Sequence, residues 1–331
     1  MHRRIVILGT GGTIAGVAPQ HADHVGYVAG QRPVADLLAG LAPPDGFAFD
    51  VEQVAQLDSK DIEHQTWVLL AQRIATYLAQ VDVAAVLVTH GTDTLEETAY
   101  FLNLTVKHEK PVVLVGSMRP ASAISADGPL NLLNAIRVAV SRDAVGKGVL
   151  VALNDEINGA RDVAKTNTYR VETFKAPELG LFGYVDADRV AFYRSSTRRH
   201  TSRSEFDVRG RTSLPPVEIL YSYVQPSTVL VQALVQAGTQ GIVFAGTGAG
   251  LVSTAERASV KPLLDLPAAT RPVLVRSNRT GNGRVVALPE YDALGMIPAD
   301  TLTPQKARVL LMLALTKTRD QAEVRRIFAE Y

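Results

Sequence analysis

Residues 4–16 read RIVILGTGGTIAG, and the parsing of this stretch decides the fold. An apolar run at 5–8 leads directly into Gly9, Gly11 and Gly12, with Thr10 and Thr13 among them and Gly16 behind. The run reads as a first strand that ends in a glycine-rich turn. Two ligand-binding forms of such a turn can be checked against the residues. The dinucleotide fingerprint G-x-G-x-x-G takes Gly9 and Gly11 but puts Ile14 where a third glycine must let helix and strand pack closely. The phosphate-binding run G-x-x-x-x-G-K-[ST] occurs nowhere in the chain. Glycines here still permit a sharp turn and a close backbone approach. The loop therefore either presents the hydroxyl of Thr10 or Thr13, or is a plain strand-to-loop connection.

Outward from this stretch, three more continuous apolar runs stand at 84–88, 111–115 and 148–153. Unbroken rather than alternating, they suit strands buried on both faces. Helical stripes at 67–78, 95–104 and 130–140 lie between them. The alternation predicts an α/β fold: a larger N-terminal domain, residues 1–188, with a parallel-type sheet covered by helices on both faces. Residues 189–216, RVAFYRSSTRRHTSRSEFDVRGRTSLPP, are basic and serine-rich with little apolar period, and read as a linker. A smaller α/β domain, 217–331, follows, with strands at 217–223, 241–245 and 272–276 and helices at 227–237, 255–264 and 304–315. Pro304 after Thr303 fits a helix start.

The bulk numbers restrict the function. The 331 residues favour two domains, and 47% hydrophobic with 20% charged residues describes a globular chain. A formal charge of +1 gives no sign of a nucleic-acid partner, and the basic 189–216 stretch carries acids and few aromatics to stack bases. With no cysteine, thiolate and disulfide chemistry are excluded. His21 and His24 have i,i+3 spacing but no third ligand nearby, so a solvated loop is preferred to a metal site. No apolar stretch approaches the ~18 residues of a membrane span, and no secretory signal precedes the first strand. The expectation is a cytoplasmic protein, or a periplasmic one if the chain is a processed form.

Open parallel sheets place their sites beyond the carboxyl ends of the strands. Three polar clusters fall there. Gly11-Gly12-Thr13 follows the first strand. VLVTHGTDTLEE, residues 86–97, sets Thr92 and Asp93 after the next, and Thr94 with Glu97 has the spacing of a capping box. NDEINGARDVAKTNT, residues 154–168, carries Asp155, Arg161, Asp162 and Lys165 after another. Hydroxyls, a carboxylate and a lysine are the parts of a nucleophilic hydrolase without serine–histidine pairing. A threonine hydroxyl needs a base in reach, and a lysine serves where its surroundings disfavour the ammonium form. Asp93 favours that form, which is resolved if its main task is to bind a substrate ammonium group.

GTGGTIAG near the start, THGTDTLEETAYF, GSMRPASAISADGPLNL, GARDVAKTNT and TPQKARVLL together resemble the bacterial L-asparaginase family, most of all its type II, asparaginase–glutaminase branch. The resemblance runs through nearly the whole chain. It implies hydrolysis of L-asparagine to aspartate and ammonia through a covalent acyl-enzyme, without a cofactor, in a homotetramer whose sites are each completed by a neighbouring subunit. By motif it implies Thr13 as nucleophile and Tyr27, in HADHVGYVAGQ, on a lid whose closure excludes water. Gly16, Gly26 and Gly30 supply hinge positions. Thr92 and Lys165 form a second hydroxyl–base pair, with the Thr92 N–H a candidate oxyanion donor. Asp93 holds the substrate's α-ammonium group and Ser59 its α-carboxylate. Ser117 stands where the branch often has alanine.

Three departures from the branch bear on substrate choice. Lys60 replaces glutamine or glutamate. Ala249, in AGTGAGL, replaces an asparagine. The glutamate that a neighbouring subunit supplies has only Glu290 as a candidate, in GRVVALPEYDALG. Asparagine is therefore the expected main substrate, with weaker glutamine activity, because a longer side chain needs more anchors to hold its amide near Thr13. A nicotinamide-dependent oxidoreductase fails on the missing third glycine. A two-lobed amino-acid-binding protein leaves Thr13 and Lys165 without a task.

Overall fold

Strand β1 (Arg3–Gly11) is buried from residue 5 onward and has neighbours on both sides. The computed structural model of the protein describes residues 2–22 and 25–331. Beside β1 run β2 (Phe47–Leu57) and β3 (Val83–Thr89), both parallel to it. They are followed by β4 (Val112–Val115), β5 (Val149–Leu153) and β6 (Glu156–Gly159). A two-strand ribbon of β7 (Ala164–Lys165) and β8 (Phe174–Lys175) stands apart from the main sheet. The short strands β9 (Gly183–Val185) and β10 (Val190–Phe192) complete the first unit. The main sheet has the order β10-β9-β6-β5-β4-β3-β1-β2. Strands β2, β1, β3, β4 and β5 are parallel, and the other three join antiparallel.

The order 2-1-3-4-5 reverses direction between β1 and β3, and a crevice opens at such a point beyond the strand ends. Helices α1 (Val34–Leu37), α2 (His64–Leu78), α3 (Leu95–Thr105) and α4 (Gly128–Val140) cover the sheet. Leu132, Ala135 and Ile136 of α4 share a core with Ile5, Ile7, Ala85, Leu87 and Val113. Val6, Leu8, Val86 and Val88 alternate with these and face the other way, the side of α2 and α3, which touch β3 and β5. Trp67 of α2 joins that pair by stacking on Phe101 at 5.2 Å and donating its indole N–H to the Thr98 hydroxyl at 2.7 Å.

Two local expectations are corrected. Thr94 is the N-cap of α3, but its hydroxyl donates to the Ser59 carbonyl at 2.7 Å instead of closing a capping box. Residues 189–212 are not a free linker. Val190–Phe192 pairs with β9, Phe206 and Val208 are buried, and the chain divides at 212/213 rather than at 188. The apolar side chains spaced along this basic stretch anchor it, so its charge conceals its packing.

The second unit, Ser213–Tyr331, has a parallel sheet in the order β11 (Val217–Tyr221), β12 (Gly241–Gly246), β13 (Val273–Asn278), β14 (Met296–Pro298). Its helices are α5 (Val229–Gln236), α6 (Thr254–Val260), α7 (Pro289–Asp292), α8 (Pro304–Leu315) and α9 (Gln321–Glu330). Ser253 and Glu256 cap α6 reciprocally. Ile242, Phe244, Leu274 and Met296 form the centre of the core.

Candidate active site

The glycine-rich turn after β1 is shaped by close backbone approach. Gly11 and Gly12 have φ of +99° and +82°, a region that penalises every residue with a Cβ. A Cβ on Gly12 would lie 2.2 Å from the Gly91 Cα, and one on Gly91 would lie 2.6 Å from the Ser59 hydroxyl. The loop after β1 is thus in backbone contact with the loop after β3, which in turn packs on the Ser59 side chain of the loop after β2. This arrangement separates the two threonines. Thr10 is buried and donates its hydroxyl to the Thr89 carbonyl at 2.9 Å, tying β1 to β3. Thr13 opens the next turn, and its Oγ1 shares a 2.7 Å hydrogen bond with Tyr27 Oη.

Tyr27 is carried on the arm that leaves and re-enters beside Thr13. The arm is closed by paired main-chain bonds between Val17 and Val28, each 3.0 Å. Gly30 has the positive φ of a hinge position, +67°, while Gly16 has φ −82° and serves another purpose. A Cβ there would meet the Tyr27 ring at 2.9 Å. Burial raises the Tyr27 phenol above its ordinary value, against a smaller opposing effect of the Thr13 bond.

Beyond β3, the HGTDT loop supplies the second group. Lys165 Nζ donates to Thr92 Oγ1 at 3.0 Å and to Asp93 Oδ1 at 2.6 Å. Thr92 is buried, whereas the Asp93 side chain is 54% exposed, the carboxylate a charged ligand would meet. The Asp93 N–H donates to the Ser59 hydroxyl at 3.2 Å, which locks Ser59 to this loop. His90 is wholly buried beneath it, with Nδ1 bonded to the Gly91 carbonyl at 2.7 Å, and burial lowers its pKa to about 4.

Tyr27, Thr92, Asp93 and Lys165 face a cleft of about 530 Å³, lined also by Val25, Met118 and residues 166–169, with Thr13 and Ser59 buried behind Tyr27 and Asp93. The structure therefore brings Thr13, Tyr27, Ser59, Thr92, Asp93 and Lys165 together. Lys60 adjoins Ser59, but its side chain is 61% exposed and pairs with Asp58 at 2.5 Å and Asp61 at 3.3 Å. The Asp58 bond raises the Lys60 pKa. Ser117 is buried and donates its hydroxyl to the Arg119 carbonyl at 2.7 Å. Glu290 lies in the second unit, where it accepts from Arg257 at 3.1 Å. His21 bonds the Ser122 carbonyl, His24 lies outside the described residues, and among the described residues no His, Cys, Asp and Glu cluster has metal-binding form.

Sequence reasoning missed the far wall of the cleft. Asn167 Oδ1 accepts from the N–H groups of Tyr169 and Arg170, at 2.9 and 3.1 Å, and holds the 167–170 turn beside Lys165. An Asn two residues before an exposed aromatic is the signal that could have found it. Glu96, buried in the first turn of α3, was also missed. Its Oε2 accepts the Lys165 backbone N–H at 2.7 Å.

Comparison with known proteins agrees along the whole chain. Residues 4–198 match the family described as Asparaginase, N-terminal, and residues 216–328 match the Glutaminase/Asparaginase C-terminal domain. The chain is 47% identical to L-asparaginase 2 of Bacillus subtilis over 99% of its own length and 86% of that protein's. It is 45% identical to the glutaminase-asparaginase of Pseudomonas fluorescens biotype A, over 99% and 90%. The crystal structure of a probable cytoplasmic L-asparaginase from Campylobacter jejuni superposes with a TM-score of 0.95 at 46% identity, covering 99% of this chain and 100% of that one.

Proposed function

The chain belongs to the asparaginase family, and from that premise we propose that it hydrolyses L-asparagine to L-aspartate and ammonia, with weaker activity on glutamine. The observation that carries the reading is the pair of short hydroxyl contacts at one cleft: Thr13 with Tyr27 at 2.7 Å and Thr92 with Lys165 at 3.0 Å. Asp93 receives the substrate's α-ammonium group and Ser59 its α-carboxylate, with Lys60 and Ser117 at the edge of that subsite. The Thr13 hydroxyl adds to the side-chain amide carbon while its proton passes to the neighbouring groups. The Thr92 N–H stabilises the oxyanion that develops. The carbon–nitrogen bond then breaks, ammonia leaves with the transferred proton, and a threonyl ester remains. A water molecule, deprotonated through Thr92 and Lys165, cleaves that ester and returns the proton to Thr13.

The reaction uses no cofactor. A homotetramer, a dimer of dimers in which a second copy contributes Glu290, is part of the proposal. The likeness to the C. jejuni protein supports a cytoplasmic location, while a relative from Haemophilus influenzae, 44% identical, is named a probable periplasmic L-asparaginase. Among the described residues no helix is long and apolar enough to cross a membrane.

Ammonia release from asparagine and glutamine, for the parent and Thr13→Ala at matched concentration, tests the reading. Release from asparagine that vanishes in Thr13→Ala supports it. Equal turnover of the two amides would overturn the substrate preference, and no release from either would leave only the fold. Light scattering that gives four times the 35.6 kDa chain mass supports the tetramer.

A further inference from the structure

The spacing of Thr92 and Lys165 raises a problem of support. Thr92 is set at the end of the fully buried β3 and just ahead of α3, which is buried along most of its length. Lys165 is on β7, a strand of two residues whose ladder with β8 has only two residue pairs. A two-strand ribbon is marginal by itself, so such a ladder does not fix a side chain to a fraction of an ångström. The two halves of the proton-transfer pair are 73 residues apart in the chain. Something else must hold the β7 backbone against the rigid loop.

Glu96 meets that need. It lies in the first turn of α3, four residues after Thr92, and it is 5% exposed. Its Oε2 accepts the Lys165 main-chain N–H at 2.7 Å. A hydrogen bond to an ionised acceptor is about twice as strong as a neutral one, and this one reaches the backbone of the residue that must be positioned. A buried carboxylate is costly unless hydrogen-bonded, so its place here demands a structural or functional return. We infer that Glu96 is a positioning residue for the hydrolysis: by clamping the Lys165 backbone to α3, it sets the reach from Lys165 Nζ to Thr92 Oγ1. This inference rests on the assignment of Thr92 and Lys165 as a proton-transfer pair.

The test separates reach from charge. Glu96→Asp keeps the charge and withdraws the oxygen by one methylene. Glu96→Gln keeps the length and an acceptor oxygen but removes the charge. A displacement of about 1 Å costs on the order of 100-fold in rate. Glu96→Asp is therefore expected to lose kcat by roughly 10- to 100-fold, with KM for asparagine little changed, and Glu96→Gln to lose less than Glu96→Asp, because it keeps the reach and gives up only the charge assistance. In a Lys165→Met background the Glu96→Asp loss should disappear, because residues that act through one another are not additive. Parent-like kcat in Glu96→Asp would overturn the inference. So would loss in Glu96→Gln with retention in Glu96→Asp, or a full further loss in the Lys165→Met background. An active Lys165→Met enzyme would instead overturn the assignment of the pair itself.

Discussion

Tyr27 Oη lies 2.7 Å from Thr13 Oγ1, and the arm between them is stapled by the reciprocal main-chain bonds of Val17 and Val28. The hydroxyl contact is thus built into a closed ring of chain. Tyr27→Phe keeps the ring packing on Gly16 and removes only the hydroxyl. Since general acid–base groups contribute about 10²- to 10⁴-fold, kcat should fall by at least 100-fold with little change in Tm. A variant within twofold of the parent would exclude Tyr27 from the proton path.

The same phenol carries a pH prediction. Burial raises its pKa above the ordinary 10, so folding favours the neutral form. Its contribution to stability is present below pH 10 and lost as the pH rises through the folded value. The tyrosinate difference spectrum between parent and Tyr27→Phe should open only above pH 10. An opening near pH 9 would contradict this burial.

His90 behaves in the opposite sense. Its pKa falls from 6.5 to about 4 because the ring is wholly buried. Between these values the unfolded chain holds the extra proton, so stability is lost as the pH falls from about 6.5 toward 4. A shift of this size corresponds to about 3 kcal/mol. His90→Asn, which keeps a donor for the Gly91 carbonyl, should show a shallower decline of the urea midpoint over that range. Parallel declines would mean that other groups govern acid unfolding.

Gly12→Ala should be inactive and less stable. The new Cβ would stand 2.2 Å from the Gly91 Cα, at a φ of +82°. Backbone strain of this kind costs roughly 1–3 kcal/mol before the overlap is counted. Melting curves and ammonia release read both effects together. Parent-like values in both would show that the two loops part easily.

Lys60 is predicted to matter less than its position suggests. Asp58 and Asp61 already pair with its ammonium group, and the side chain is mostly exposed. Exposed pairs of this kind contribute little. Lys60→Gln should leave Tm unchanged and move KM for asparagine by less than about threefold. A tenfold rise would mean that Lys60 leaves Asp58 to hold the substrate carboxylate.

What the sequence disclosed follows burial. Strands such as 84–88, covered on both faces, were legible as unbroken apolar runs. Strand β2 was not, although it is 11 residues long. It lies at the sheet edge, where Glu52 accepts from Arg73 and Tyr77 and Asp50 accepts from Arg4, so its sequence reads as polar. Strands β9 and β10, of three residues each, are too short to carry a period. Thr92, Asp93 and Lys165 were legible as candidates because strand ends and polar clusters coincide, whereas the choice of Thr13 over Thr10 came only with the family resemblance. Glu96 was not legible, since acids in a first helical turn suit the helix dipole. Only the fold brings its carboxylate to a backbone 69 residues further on.

The contact between Gly12 and Gly91 has a kinetic consequence. It joins loops 79 positions apart, and neither loop can take its final shape while the other is absent. Long-range contacts of this sort form late in folding, because chain closure must come before them. Helix content should therefore return first when the denatured chain is diluted into buffer, and ammonia-releasing activity should lag behind it. Thr13 and the loop that carries Thr92 are thus brought together only once β1 and β3 have met.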